Sequence, residues 1–125
     1  MGQIELKKAA DRTAPPGGQT PGMTREQAFA SQGLWAGVAR TEPEMISGWH
    51  HHGDHETYFY VAAGRAVLEF GPGGSDKVDA GPGDFVHVPP RTVHRESNPT
   101  GETSVLIAFR SGTGEAVVNV EGPDS

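Results

Sequence analysis

The stretch GDFVHVPPRTVHRESN, residues 83–98, decides the fold. It holds two short runs, 84–88 and 93–97, separated by Pro89-Pro90, and neither shows a helical period. In the first run Val86 and Val88 share one side while His87 faces the other, the alternation of a half-buried strand. In the second, His94 comes just after the proline turn, near the start of its own strand. Strand, rigid turn, strand is the texture of an all-β domain.

The same texture extends in both directions. Strands are expected at 34–41, 45–52, 57–62, 65–70, 77–79, 84–88, 93–97, 104–110 and 116–120. Between them stand Glu42-Pro43, Ala63-Gly64, the 71–75 and 80–83 Gly-Pro clusters and 98–101, which supply turn dihedrals. Strands at this spacing, without helices between them, indicate a closed antiparallel barrel or sandwich. Upstream, residues 10–22 are rich in Pro and Gly and read as an irregular arm, and 4–10 would form a strand only against a partner edge. Thr24 and Gln27 fit a capping box, which predicts one short N-terminal helix over 25–31. The expected organisation is an N-terminal strand and flexible arm (1–23), one barrel domain (24–122) and a tail (123–125).

Composition bounds the function. At 125 residues and 13.2 kDa the chain builds one core, so any site lies within or beside it. The absence of cysteine removes disulfides, thiolate zinc sites, iron-sulfur clusters and a Cys nucleophile. A net charge of −6, with basic residues scattered, argues against nucleic acid as a partner. Residues 1–12 contain no apolar core of a signal peptide, and the longest apolar run, 105–109, is too short to cross a bilayer. A soluble, cytoplasmic protein without a membrane partner is expected.

Four of the six histidines fall together, at His50, His51, His52 and His55. On a strand His50 and His52 project to one side and His51 to the other, so two imidazoles there can share a metal ion. A third ligand must come from another strand, and His94 is the candidate. Imidazole favours a transition metal over calcium. The competing reading is a solvated strand edge, since a lone histidine is more often structural than a ligand. His87 fits that description, Trp35 and Trp49 read as core or interface aromatics, and no pair of catalytic carboxylates is identifiable.

With both clusters in view the chain resembles the cupins. The second motif of that family runs Gly, five residues, Pro-x-Gly, two residues, His, three residues, Asn, which Gly83, Pro89, His94 and Asn98 match, with Arg91 where the family has Gly. The first motif corresponds to His50, His52, Glu56 and Gly64. The resemblance, over about residues 34–112, implies an antiparallel double-stranded β-helix or jelly-roll barrel. It implies one divalent transition metal ion (Fe, Mn, Ni or Zn) held by His50, His52 and His94, with Glu56 as a fourth ligand and His55 as a weaker substitute. Counting back from Gly64, however, places the family's acidic position on Thr57. An inward Thr57 puts Phe59 and Val61 inside and Tyr58 and Tyr60 outside, and an apolar interior favours that register.

For function, the resemblance implies a metal-dependent enzyme, dioxygenase-like if the metal is iron, acting on a small organic molecule in the barrel. A metal-dependent isomerase, decarboxylase or lyase, or a non-catalytic module that binds a small ligand, shares the same first motif and stays open. Cupins commonly pair through sheet edges, so a homodimer is expected.

Overall fold

The computed structural model describes residues 2–31, 33–112 and 114–124. Ten strands run in chain order: β1 (Met23–Ser31), β2 (Leu34–Thr41), β3 (His50–His51), β4 (Glu56–Ala63), β5 (Ala66–Phe70), β6 (Asp76–Ala80), β7 (Phe85–Val88), β8 (His94–Ser97), β9 (Ser104–Ser111) and β10 (Val118–Asn119). They form two five-stranded sheets, β1-β2-β9-β4-β7 and β10-β3-β8-β5-β6, and every pairing is antiparallel. No helix among the described residues is long and apolar enough to cross a membrane.

Alternation drives the packing. On β4 Thr57, Phe59 and Val61 are buried while Tyr58 and Tyr60 face out, the register that an apolar interior favours. Leu106 and Ala108 of β9, Trp35 and Ala39 of β2, Leu68 of β5 and Val88 of β7 complete the core from both sheets. Gly64 closes the β4–β5 turn at φ 73°, and a Cβ there would lie 2.9 Å from Ser104 Cα, so a side chain is excluded.

At one end of the barrel the inward phase continues into polar residues. Thr57 pairs with Arg110, and Arg110 pairs with Trp35, so β4, β9 and β2 turn these three side chains inward at one level. In the facing sheet His50 pairs directly with His94.

Two expectations are corrected. The segment 25–31 is not a helix: it lies within β1, antiparallel to β2 with a bulge between Gln27 and Phe29. The capping box loses because both backbone groups of Gln27 bond Thr13 across the chain and its side chain accepts from Trp35 Nε1 at 2.9 Å, leaving nothing to cap. The run 45–52 yields only the two-residue β3 and an isolated bridge from Ile46 to Ser97. There the backbone splits its partners, Ser47 N donating to Glu96 O and Gly48 N to Pro21 O. Residues 4–10, expected as a strand only against a partner edge, have none in the single chain; a 3-10 turn at Ala9–Asp11 is the nearest regular structure, with Ile4 and Leu6 exposed.

Candidate metal centre

His50, His52 and His94 meet inside the barrel, each offering a ring nitrogen within 4.8 Å of the others. All three are buried, and their ring centroids stand 4.3 to 5.3 Å apart. Each Nδ1 is already spoken for by a backbone carbonyl: His50 donates to Gly48 O at 2.9 Å, His52 to Ala116 O at 2.8 Å and His94 to Thr92 O at 2.8 Å. That anchoring puts the proton on Nδ1 and leaves each Nε2 with a bare lone pair, as in metal-ligating histidines, whose other ring nitrogen is typically tied to a carbonyl or carboxylate. Burial then favours the neutral form of His50 and His52. It lowers His50 despite the opposing influence of the Glu96 carboxylate, and holds His52 well below 6.5, helped by the charge of Arg110 and the neighbouring histidines.

A carboxylate does reach this cluster, and it is Glu96. Its Oε2 lies 3.2 Å from His50 Nε2 and 3.6 Å from His94 Nε2. Burial opposes the charge of Glu96, but the His50 and His94 rings beside it outweigh that and hold it well below 4.5. Glu96 escaped the sequence reading because it stands outside the family's motif positions. The available signal was its spacing: two residues after His94 on a strand, it must share the face of His94.

Glu56 is not part of the cluster. With Thr57 turned inward, Glu56 belongs to the outer face, where Oε1 accepts from His87 Nε2 at 2.7 Å and Tyr58 stacks on the His87 ring. His55 is buried apart from the three, donating Nε2–H to Gly114 O at 3.0 Å, and His51 accepts from Gly53 N through Nδ1 at 3.0 Å. Arg91, which replaces the family's glycine, takes the left-handed conformation at φ 56° and pairs with Asp54.

The donor set suits a divalent transition ion. Three imidazoles and one carboxylate converge, and His94 Nε2 has no hydrogen-bond partner although it is buried. On the His52 side of the cluster lies an inner cavity of about 10 Å³, lined by His52, Thr57, Glu96, Arg25 and Arg110 among others, with Thr57 Oγ1 also unpartnered. Arg110 also lines an open mouth of about 440 Å³ with Leu34, Trp35, Val117 and the Pro15-Pro16 turn of the arm. Burial, with the like charge of Arg25, pushes Arg110 down to about 9, so it stays charged at neutral pH.

Comparison with known proteins gives a consistent architecture. The family model described as a cupin domain matches residues 37–110. No curated protein matches the chain. Among solved structures, a conserved protein with a double-stranded β-helix domain from Klebsiella pneumoniae superposes with a TM-score of 0.72 at 16% identity, covering 95% of this chain and 99% of that one. The polyketide cyclase RemF from Streptomyces resistomycificus gives 0.74 at 19% identity, over 94% and 86% of the two chains. Bacillus subtilis oxalate decarboxylase, a protein with Mn(II) centres, gives 0.69 at 20% identity over 82% of this chain but 29% of its own. At these identities the likeness is one of fold.

Proposed function

The chain belongs to the cupin domain family, and from that membership and its buried histidines we propose that it is a small metal-dependent enzyme, dioxygenase-like, acting on a small organic molecule in the barrel. The observation that carries this reading is the convergence of His50, His52 and His94 with every Nδ1 anchored and every Nε2 turned inward. In it, these three histidines hold one divalent ion, and Glu96 takes the carboxylate role that the sequence reading gave to Glu56. A similar fold with Mn(II) centres in oxalate decarboxylase supports a divalent metal. When bound, such an ion supplies a Lewis-acidic position for a carbonyl or enol oxygen or, as iron, redox chemistry with dioxygen. The chain's own residues do the rest. Core aromatics and aliphatics exclude water, Thr57 Oγ1 offers an unused hydrogen-bonding group, and Arg110 stands between mouth and cavity.

Metal stoichiometry of untagged protein tests the site. Parent protein is expected to bind one ion per chain, and His50→Ala and His94→Ala to lose it; unchanged stoichiometry in both variants overturns the site. Oxygen uptake across catechol, diketone and flavonol candidates then tests the reaction, with turnover that consumes no oxygen moving the assignment to an isomerase, decarboxylase or lyase. A second reading, a non-catalytic ligand-binding cupin, is favoured by the threonine at the family's acidic position and by the small inner cavity. It predicts metal-replete protein inert toward all candidates yet thermally stabilised by one of them.

The reading also includes a homodimer built on the single barrel of residues 24–122. It is supported by the exposure of Ile4 and Leu6 on the arm, apolar side chains with nothing to cover them in one chain. A sedimentation mass of one chain at high concentration would overturn it.

A further inference from the structure

Two guanidiniums are folded into the barrel beside the histidines without a carboxylate of their own. Arg25 of β1 and Arg110 of β9 are 1% and 3% exposed. Arg25 donates to Thr20 Oγ1 at 2.9 Å and to Met23 Sδ at 3.6 Å, and Arg110 lies 4.5 Å above the Trp35 ring. Neither forms an ion pair among the described residues, and Nε of each is buried without a hydrogen-bond partner. A buried charge is normally paired, because its desolvation is otherwise uncompensated.

Charge around the inner cavity does not balance. Both arginines line it, and Glu96 is the single carboxylate on its wall. One positive charge is left over, and a divalent ion would add to it. Arg110 faces the mouth as well, where Trp35, Leu34 and Val117 offer an apolar wall.

We propose that the barrel binds an organic monocarboxylate, its carboxylate held by Arg110 and Arg25 beside the three histidines and its apolar body in the mouth against Trp35, Leu34 and Val117. This names the substrate class for the enzyme proposed above and rests on reading the barrel as its ligand chamber. The guanidinium fork matches a planar carboxylate through parallel N–H donors. The inner cavity, about 10 Å³, has the room of one water and suits a planar carboxylate edge better than a tetrahedral phosphate. The cation–π contact with Trp35 fixes the Arg110 plane, so the fork is oriented before the ligand arrives.

Calorimetric titration of the full chain, both chelator-treated and zinc-loaded, with benzoate, benzamide and phenyl phosphate tests this. Benzoate is expected to bind at least tenfold more tightly than benzamide or phenyl phosphate. Arg110→Met, which replaces a buried charge by a similar apolar volume, is expected to abolish that preference, and Arg110→Lys to retain part of it. Zinc stoichiometry is expected to stay at the parent's value in both variants. Equal binding of acid and amide, tighter binding of phenyl phosphate, or an acid preference that survives both Arg110→Met and Arg25→Met overturns the proposal. So does the absence of benzoate binding in both forms. Failure of the metal reading is distinguishable, because it shows as absent zinc binding in the parent, whereas failure here leaves zinc binding intact.

Discussion

Glu96 Oε2 lies 3.2 Å from His50 Nε2, although the His50 proton is engaged at Nδ1 by the Gly48 carbonyl. Two acceptors at that separation need a cation between them, either a proton or a metal ion. A divalent ion meets that need for His94 Nε2 as well, which is 3.6 Å from the same oxygen.

Glu96→Gln should therefore weaken metal binding, by about 10- to 100-fold by analogy with the loss of groups that tune a metal's ligands. The glutamine amide can donate to His50 Nε2, so the metal-free variant should fold as well as the parent. Glu56→Gln, on the outer face against His87, should leave metal affinity at the parent's value. Competition against a chromogenic chelator measures both, and equal losses in the two variants would return Glu56 to the site.

Acid sensitivity follows from the same histidines. His50 and His52 are lowered from 6.5, chiefly by burial, so the folded chain keeps them neutral where the unfolded chain takes up protons. Their contribution to stability is complete above pH 6.5 and is lost as pH falls below it. The slope is up to about 1.4 kcal/mol per pH unit for each histidine. Glu96, held below 4.5, acts in a separate window and loses its contribution only as pH falls further. Urea midpoints of chelator-treated protein at pH 7.5 and pH 5.5 should differ in this direction. A flat profile would mean that the rings titrate normally.

Much of this arrangement was legible in the sequence because it rests on strand alternation. His50 and His52 share a face by their spacing, Thr57, Phe59 and Val61 by theirs, and the Pro89-Pro90 turn puts His94 at the head of β8. What escaped depends on partners distant in the chain. The 25–31 segment carries a local helix signal that pairing with β2 and Thr13 overrides. Glu96 is one polar residue among several until the alternation is applied outward from His94, and the motif position of Glu56 yields to the phase of β4, which turns its side chain outward. Arg25 and Arg110 had no sequence signal as a pair, since only the closure of β1 and β9 around one barrel buries both.

Arg91 holds a left-handed backbone, φ 56°, that disfavours a side chain bearing Cβ. Arg91→Gly should raise the thermal midpoint, because the exposed Arg91–Asp54 pair it removes is screened by water and contributes little. Arg91→Ala, which loses the pair and keeps the strain, should lower it. Scanning calorimetry of the two variants separates backbone from ion pair, and a midpoint for Arg91→Gly below that of Arg91→Ala would show that the pair governs the turn.

Asn98 ties the end of β8 to two other chain segments and is itself 1% exposed. Its Nδ2 donates to the carbonyls of Thr41 and Glu102, at 3.1 and 2.6 Å, while Oδ1 accepts from Thr100 N and Thr100 Oγ1 at 3.1 and 2.7 Å. No other polar side chain type both donates and accepts with this planar geometry at this size. Asn98→Ala leaves those backbone groups without partners, at about 1–3 kcal/mol for each that water fails to reach. Asn98→Asp should cost more at neutral pH, because a carboxylate cannot donate and would set its charge against the Thr41 and Glu102 carbonyls. Urea midpoints should fall in the order parent, Asn98→Ala, Asn98→Asp, and metal stoichiometry should stay constant, since Asn98 touches none of the histidines. Loss of metal in Asn98→Ala at urea concentrations where the chain is still folded would instead couple this turn to the site through β8, which carries His94 and Glu96.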